Sequence, residues 1–124
     1  MTDRFDAVAD RLEQFTSVRD WAQFHTPKNL AMALAGEVGE LAAELQWHQG
    51  DADIGSDLRT RLAGEAADVL LYLIRFASVC EIDLLAAAEA KIAVNEARYP
   101  VEESRGRPDK YTAYLDLPDS RAQG

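Results

Sequence analysis

At 124 residues and 48% hydrophobic content, the chain is long enough for one domain with a core of its own. Its net charge of −9 excludes a general binder of nucleic acid or of anionic membrane, because phosphate-rich surfaces demand clustered Lys and Arg. There is no apolar run of about 18 residues and no apolar leader after Met1, so a cytoplasmic protein with no membrane association is expected. Cys80 is the single cysteine, which excludes an internal disulfide and a thiolate metal site and leaves it as a small core residue.

In chain order, Phe5, Val8, Ala9, Leu12 and Phe15 recur at helical spacing and predict an amphipathic first helix over residues 2–20, with Thr2 as its cap. Thr26-Pro27 reads as an N-cap followed by a first-turn proline and opens a second helix over residues 27–47. Gly36 and Gly39 inside that helix each cost up to about 1 kcal/mol relative to Ala, and close approach of another backbone or of a metal site is their expected reason. A polar stretch at residues 49–56 separates it from a third helix over residues 57–80, capped by Ser56 or Asp57. Val69-Leu70-Leu71-Tyr72-Leu73-Ile74 is apolar all round the helix, so it needs cover on several sides, and a second subunit is the natural cover. Asp83 is expected to cap a fourth helix over residues 84–99, ended by Pro100. The domain is therefore placed at residues 1–100 and is all-α; residues 101–124, with Gly106, Pro108 and Pro118 and no helical period, are read as a partly disordered tail.

Two acidic pairs carry the chemistry. Glu37 and Glu40, and likewise Glu65 and Asp68, stand three residues apart, so each pair falls within roughly 60° on its helix. Each pair also adjoins an apolar stripe, Leu30, Leu34, Leu41 and Leu45 in the first case and Leu58, Leu62, Val69 and Leu73 in the second. Side by side, the two helices bring four half-buried carboxylates together, and a divalent cation is the simplest relief of their repulsion. Hard oxygen ligands without His or Cys point to Mg2+, with Mn2+ as a possible substitute; a di-iron site is excluded because neither His25 nor His48 follows a glutamate by three residues. Glu44, one turn beyond Glu40, is either an outer ligand or base, or a solvated glutamate. Tyr72, one turn after Asp68, and Trp47, at the end of the second helix, either flank a planar ligand or pack in a core. Lys91, Asn95 and Arg98 share one face of the fourth helix, which suits sugar or phosphate recognition or a solvated surface.

Several stretches together carry a resemblance: Arg19-Asp20-Trp21-Ala22-Gln23-Phe24-His25, Pro27-Lys28-Asn29-Leu30, Gly36-Glu37-Val38-Gly39-Glu40-Leu41, Gln46-Trp47, Glu65-Ala66-Ala67-Asp68-Val69-Leu70-Leu71-Tyr72-Leu73 and Asn95-Glu96-Ala97-Arg98-Tyr99-Pro100. In this order and spacing, over residues 4–114, the chain resembles MazG-like nucleotide pyrophosphohydrolases, closest to the dCTP pyrophosphatase branch. The resemblance implies a four-helix MazG-like bundle, a homo-oligomer (a tetramer, or else a dimer) and Mg2+-dependent cleavage of a dNTP to dNMP and pyrophosphate. It implies metal binding by Glu37, Glu40, Glu65 and Asp68, contacts around the nucleoside from Trp21, Trp47 and Tyr72, and polar contacts from Lys91, Asn95 and Arg98. This chain has Leu12 where dCTP-preferring animal members are expected to place a base-contacting histidine, so a looser preference for dCTP or modified pyrimidine dNTPs is expected. The alternatives are pyrophosphohydrolysis of another nucleotide, such as phosphoribosyl-ATP or an oxidised purine triphosphate, and a non-catalytic helical oligomer cross-linked by metal.

Overall fold

A computed structural model describes residues 2–110 and 112, and all regular structure among them is helical. The chain divides into two compact units, Met1–Asp83 and Leu84–Gly124. The first contains α1 (Thr2–Val18), a 3-10 turn (Ala22–Phe24), α2 (Pro27–Leu45) and α3 (Gly55–Val79). At 25 residues α3 is the longest element, and both α1 and α2 pack against it, α2 the more extensively. The second unit contains α4 (Leu84–Arg98) and a single-turn helix, α5 (Val101–Ser104). The all-α expectation holds. The expected count of four does not, since five α-helices occur among the described residues, the additional one following Pro100 where no helical period is visible in the sequence. No helix among them is long and apolar enough to cross a membrane.

In the first unit, Leu30 of α2 (1% exposed) meets the same core as Ile74 and Ala77 of α3. Thr16 of α1 is also buried, and its hydroxyl donates to the Glu13 carbonyl at 2.8 Å, so its polar group is satisfied within its own helix. Of the stripes beside the acidic pairs, Leu34, Leu41, Leu58, Leu62, Val69 and Leu73 are half-buried, Leu30 is enclosed and Leu45, at the end of α2, is exposed. Cover of the apolar run in α3 is incomplete: Ile74 is enclosed, whereas Leu70 remains 46% exposed.

Helix ends follow specific backbone devices. Thr26 accepts a hydrogen bond from the Asn29 N–H at 3.1 Å, with Pro27 at the first helical position, as its sequence signal predicts. α1 ends two residues before the expected Asp20. There Asp20 takes a left-handed φ of 54°, and the Trp21 N–H donates to the Thr16 carbonyl while the Asp20 N–H donates to Ser17. This is a Schellman closure built on aspartate instead of glycine. α3 closes identically, with Glu81 at φ 56° and Ile82 and Glu81 donating to Ala77 and Ser78. The start of α3 differs from expectation: neither Ser56 nor Asp57 is the cap, because Gly55, at φ +70°, already begins the helix after Ile54. A glycine takes that φ without steric cost, so the chain turns into the helix two residues early, and Asp57 lies in a first turn whose dipole favours it. Of the two reasons expected for Gly36 and Gly39, close approach of another backbone is not found among the described residues, since a Cβ built on either meets nothing within 4 Å. The cap expected at Thr2 involves a side chain outside the described residues.

Candidate metal centre and adjoining cavity

The packing of α2 on α3 is what assembles the acidic residues. Glu37 and Glu40 share one face of α2, Glu65 and Asp68 one face of α3, and residues 46–54 return the chain between them. That return is tied by His48, whose Nε2 donates to the Ala52 carbonyl at 2.9 Å. One carboxylate oxygen each from Glu37, Glu65 and Asp68 lies within 4.8 Å of the others. Glu40 is the cluster's fourth carboxylate, close enough for its charge to act on both Glu37 and Glu65. Glu37 and Glu65 are half-buried; Glu40 and Asp68 are exposed, more open than the uniform half-burial expected of the four.

The electrostatics of this cluster are unfavourable as it stands. Desolvation, then the neighbouring Glu40 carboxylate, then Asp68 and Glu65, push the Glu37 carboxyl above its ordinary range. Glu65 is raised for the same reasons, desolvation first, with the charge of Glu44 a further contribution. Glu37 Oε2 and Glu65 Oε2 are buried and have no hydrogen-bond partner among the described residues. Two orphaned carboxylate oxygens in a cluster of hard acidic donors fit a divalent cation, which would satisfy both and reverse the repulsion. Glu44 is held differently, accepting from Arg61 Nε at 2.8 Å, so α3 itself supplies the counter-charge at the outer edge of the acidic face.

A cavity of about 250 Å3 adjoins the cluster at Asp68, walled by Leu12, Trp21, His25, Tyr72 and Arg75 among others. The Schellman closure at Asp20 turns the chain so that Trp21 packs edge-on against Phe15, ring centroids 5.6 Å apart at 78°. The Arg19 guanidinium covers the Phe15 ring at 3.7 Å. His25 sits between the 3-10 turn, where its N–H donates to Ala22, and the cap of α2. Its Nδ1 accepts from Arg75 Nε at 3.0 Å, a contact spanning 50 residues. Burial, then the Arg75 charge, hold the His25 imidazole below the usual histidine range.

Of the residues singled out in the sequence, the structure thus gathers Glu37, Glu40, Glu65 and Asp68, and beside them Trp21 and Tyr72. Trp47, in the turn after α2, is 89% exposed and outside the cavity wall. Lys91, Asn95 and Arg98 lie on successive turns of α4 in the second unit, all exposed. Sequence reasoning missed His25 and Arg75 as cavity residues. A signal existed for Arg75, which stands seven residues, about two turns, after Asp68 on the same face of α3.

Residues 25–101 match the family model of the MazG nucleotide pyrophosphohydrolase domain. The chain belongs to the MazG nucleotide pyrophosphohydrolase family. It is 47% identical over 110 residues to dCTP pyrophosphatase 1 of Rattus norvegicus and 43% identical over 104 residues to that of Homo sapiens, covering 85% and 80% of this chain. It spans 62% and 61% of the length of those relatives. A crystallised pyrophosphatase from Archaeoglobus fulgidus is 36% identical and superposes with a TM-score of 0.70, over 78% of this chain and 93% of that one. The matched MazG span takes in both acidic helices and α4. α1 and Trp21, which complete the cavity wall, precede it.

Proposed function

We propose that this MazG domain, placed at residues 1–100, hydrolyses a deoxynucleoside triphosphate, dCTP or a modified pyrimidine dNTP, to the monophosphate and pyrophosphate with Mg2+, or Mn2+ in its place. The observation that carries this reading is the pair of orphaned carboxylate oxygens, Glu37 Oε2 and Glu65 Oε2, beside an aromatic cavity that opens at Asp68. Glu37, Glu40, Glu65 and Asp68 would hold the cation, which when bound offsets triphosphate charge and activates water. Glu40, exposed and beside Glu37 and Glu65, would take the proton of the water that attacks the α-phosphorus. Trp21 and Tyr72 supply faces for the base in the cavity of about 250 Å3. Trp47, free of protein cover, is assigned to the same nucleoside from its exposed turn, and Lys91, Asn95 and Arg98 to sugar or phosphate contacts.

The working form is a homo-oligomer, a tetramer in preference to a dimer. Val8 and Phe15 of α1 and Leu70 of α3 support this reading, being exposed apolar side chains around grooves that the first unit does not fill. Acting on the nucleotide pool, the protein would work in the cytoplasm. The test is a panel of dCTP, 5-methyl-dCTP, dTTP, dATP and dGTP with Mg2+ in heavy-oxygen water. The reading predicts pyrophosphate plus labelled monophosphate, fastest with the cytosine nucleotides. Diphosphate and inorganic phosphate as primary products, or a purine preference, contradict it.

A further inference from the structure

The side of the cavity formed by α1 is apolar at Leu12, so a base edge finds no hydrogen-bond donor there. The only side-chain partner of His25 among the described residues is Arg75, whose Nε donates to Nδ1 at 3.0 Å. An arginine nitrogen is always a donor, so Nδ1 must be the acceptor and carry no proton. In a neutral imidazole the proton then sits on Nε2. Burial and the adjacent guanidinium both disfavour the imidazolium, which would place a proton on Nδ1 against Arg75. Both residues line the cavity, and no carboxylate pairs with the guanidinium among the described residues.

We propose that Arg75 is a positioning residue for base selectivity: it locks His25 as an Nε2–H donor, so that the cavity accepts a pyrimidine with an unprotonated ring nitrogen, as in cytosine, over one with an N3–H, as in thymine or uracil. This rests on the cavity being the base site. A fixed donor at ring position 3 is accepted by the unprotonated N3 of cytosine, whereas against thymine it opposes the N3–H, and an unmatched pair of buried donors is costly. The lock is rigid because His25 is held at both ends, by its own backbone bond to Ala22 and by Arg75 at the ring.

The experiment reads the His25 ring nitrogens by 15N NMR in the full chain, and kcat/KM for dCTP and dTTP. Wild type should show a protonated Nε2 and an unprotonated Nδ1, and the Nε2 signal should move on addition of α,β-methylene-dCTP with Mg2+. Arg75→Met should mix the tautomers and lower the dCTP-to-dTTP ratio of kcat/KM about tenfold or more, chiefly through KM, while Arg75→Lys, which keeps a donor, should recover part of the ratio. An Nδ1–H or cationic His25 in the wild type overturns the proposal without any variant, as does an unchanged ratio in Arg75→Met. If the analogue leaves the His25 signals unmoved while dCTP is still cleaved, the cavity is not the base site and the proposal falls with that reading.

Discussion

Trp21 links the fold to the proposed chemistry, so replacing it by alanine should register in both. The side chain is 44% exposed, which leaves a little over half of it buried against Phe15 and the cavity wall. A large aromatic offers up to about 250 Å2, so roughly 130 Å2 returns to water on truncation, worth about 3 kcal/mol at about 25 cal/mol per Å2. A compact denatured state reduces that by roughly 10–40%, and loss of the edge-to-face pair adds about 0.5–1.5 kcal/mol. The net expectation is a loss of about 2–4 kcal/mol in urea unfolding, followed by fluorescence and circular dichroism at fixed protein concentration with an unchanged m-value. The same variant should raise KM for dCTP about tenfold, because a stacking face for the base is gone. Trp21→Phe should recover most of the stability. A Trp21→Ala protein that unfolds at the wild-type urea concentration and keeps its KM would refute both the packing account and the placement of the cavity.

Two further predictions concern the backbone and the acidic cluster. Glu81→Gly should stabilise the protein by about 1 kcal/mol, since Glu81 is exposed and holds φ 56° only to close α3; a destabilised variant would contradict that strain. Because the Glu37 and Glu65 carboxyls are raised in the folded state, their penalty on folding is complete above the folded values and is relieved as pH falls through them towards the ordinary carboxylate range. Metal-free wild type should therefore gain thermal stability over that interval relative to metal-free Glu65→Gln, and Mg2+ should give wild type a like gain at neutral pH; equal pH profiles for the two proteins would contradict the cluster's electrostatics.

The acidic cluster was legible in the sequence because helical periodicity converts a three-residue spacing into a shared face, and the stripes beside it dictate which helices pack. The opening of α2 was legible for a similar reason, Thr26 and Pro27 being local signals of local geometry. The left-handed closures of α1 and α3 were not, because they use Asp20 and Glu81, which lack the usual glycine mark, although the end of α3 itself falls within one residue of the expected Cys80. Gly55 was visible only as a loop glycine, although it starts α3. His25 and Arg75 meet through tertiary packing across 50 residues, which no periodicity reports, and Gly36 and Gly39 have no neighbour among the described residues that explains them.

The central claim is that the carboxylates joined by α2 and α3 hold the divalent cation needed for cleavage. Steady-state turnover of dCTP by Glu65→Gln at saturating Mg2+, with helicity verified by circular dichroism, tests it most directly. Glutamine keeps the shape of the side chain but removes the charge of the residue whose buried Oε2 has no partner. A folded protein whose turnover has fallen about 100-fold or more is predicted. Wild-type turnover in that variant would contradict the account.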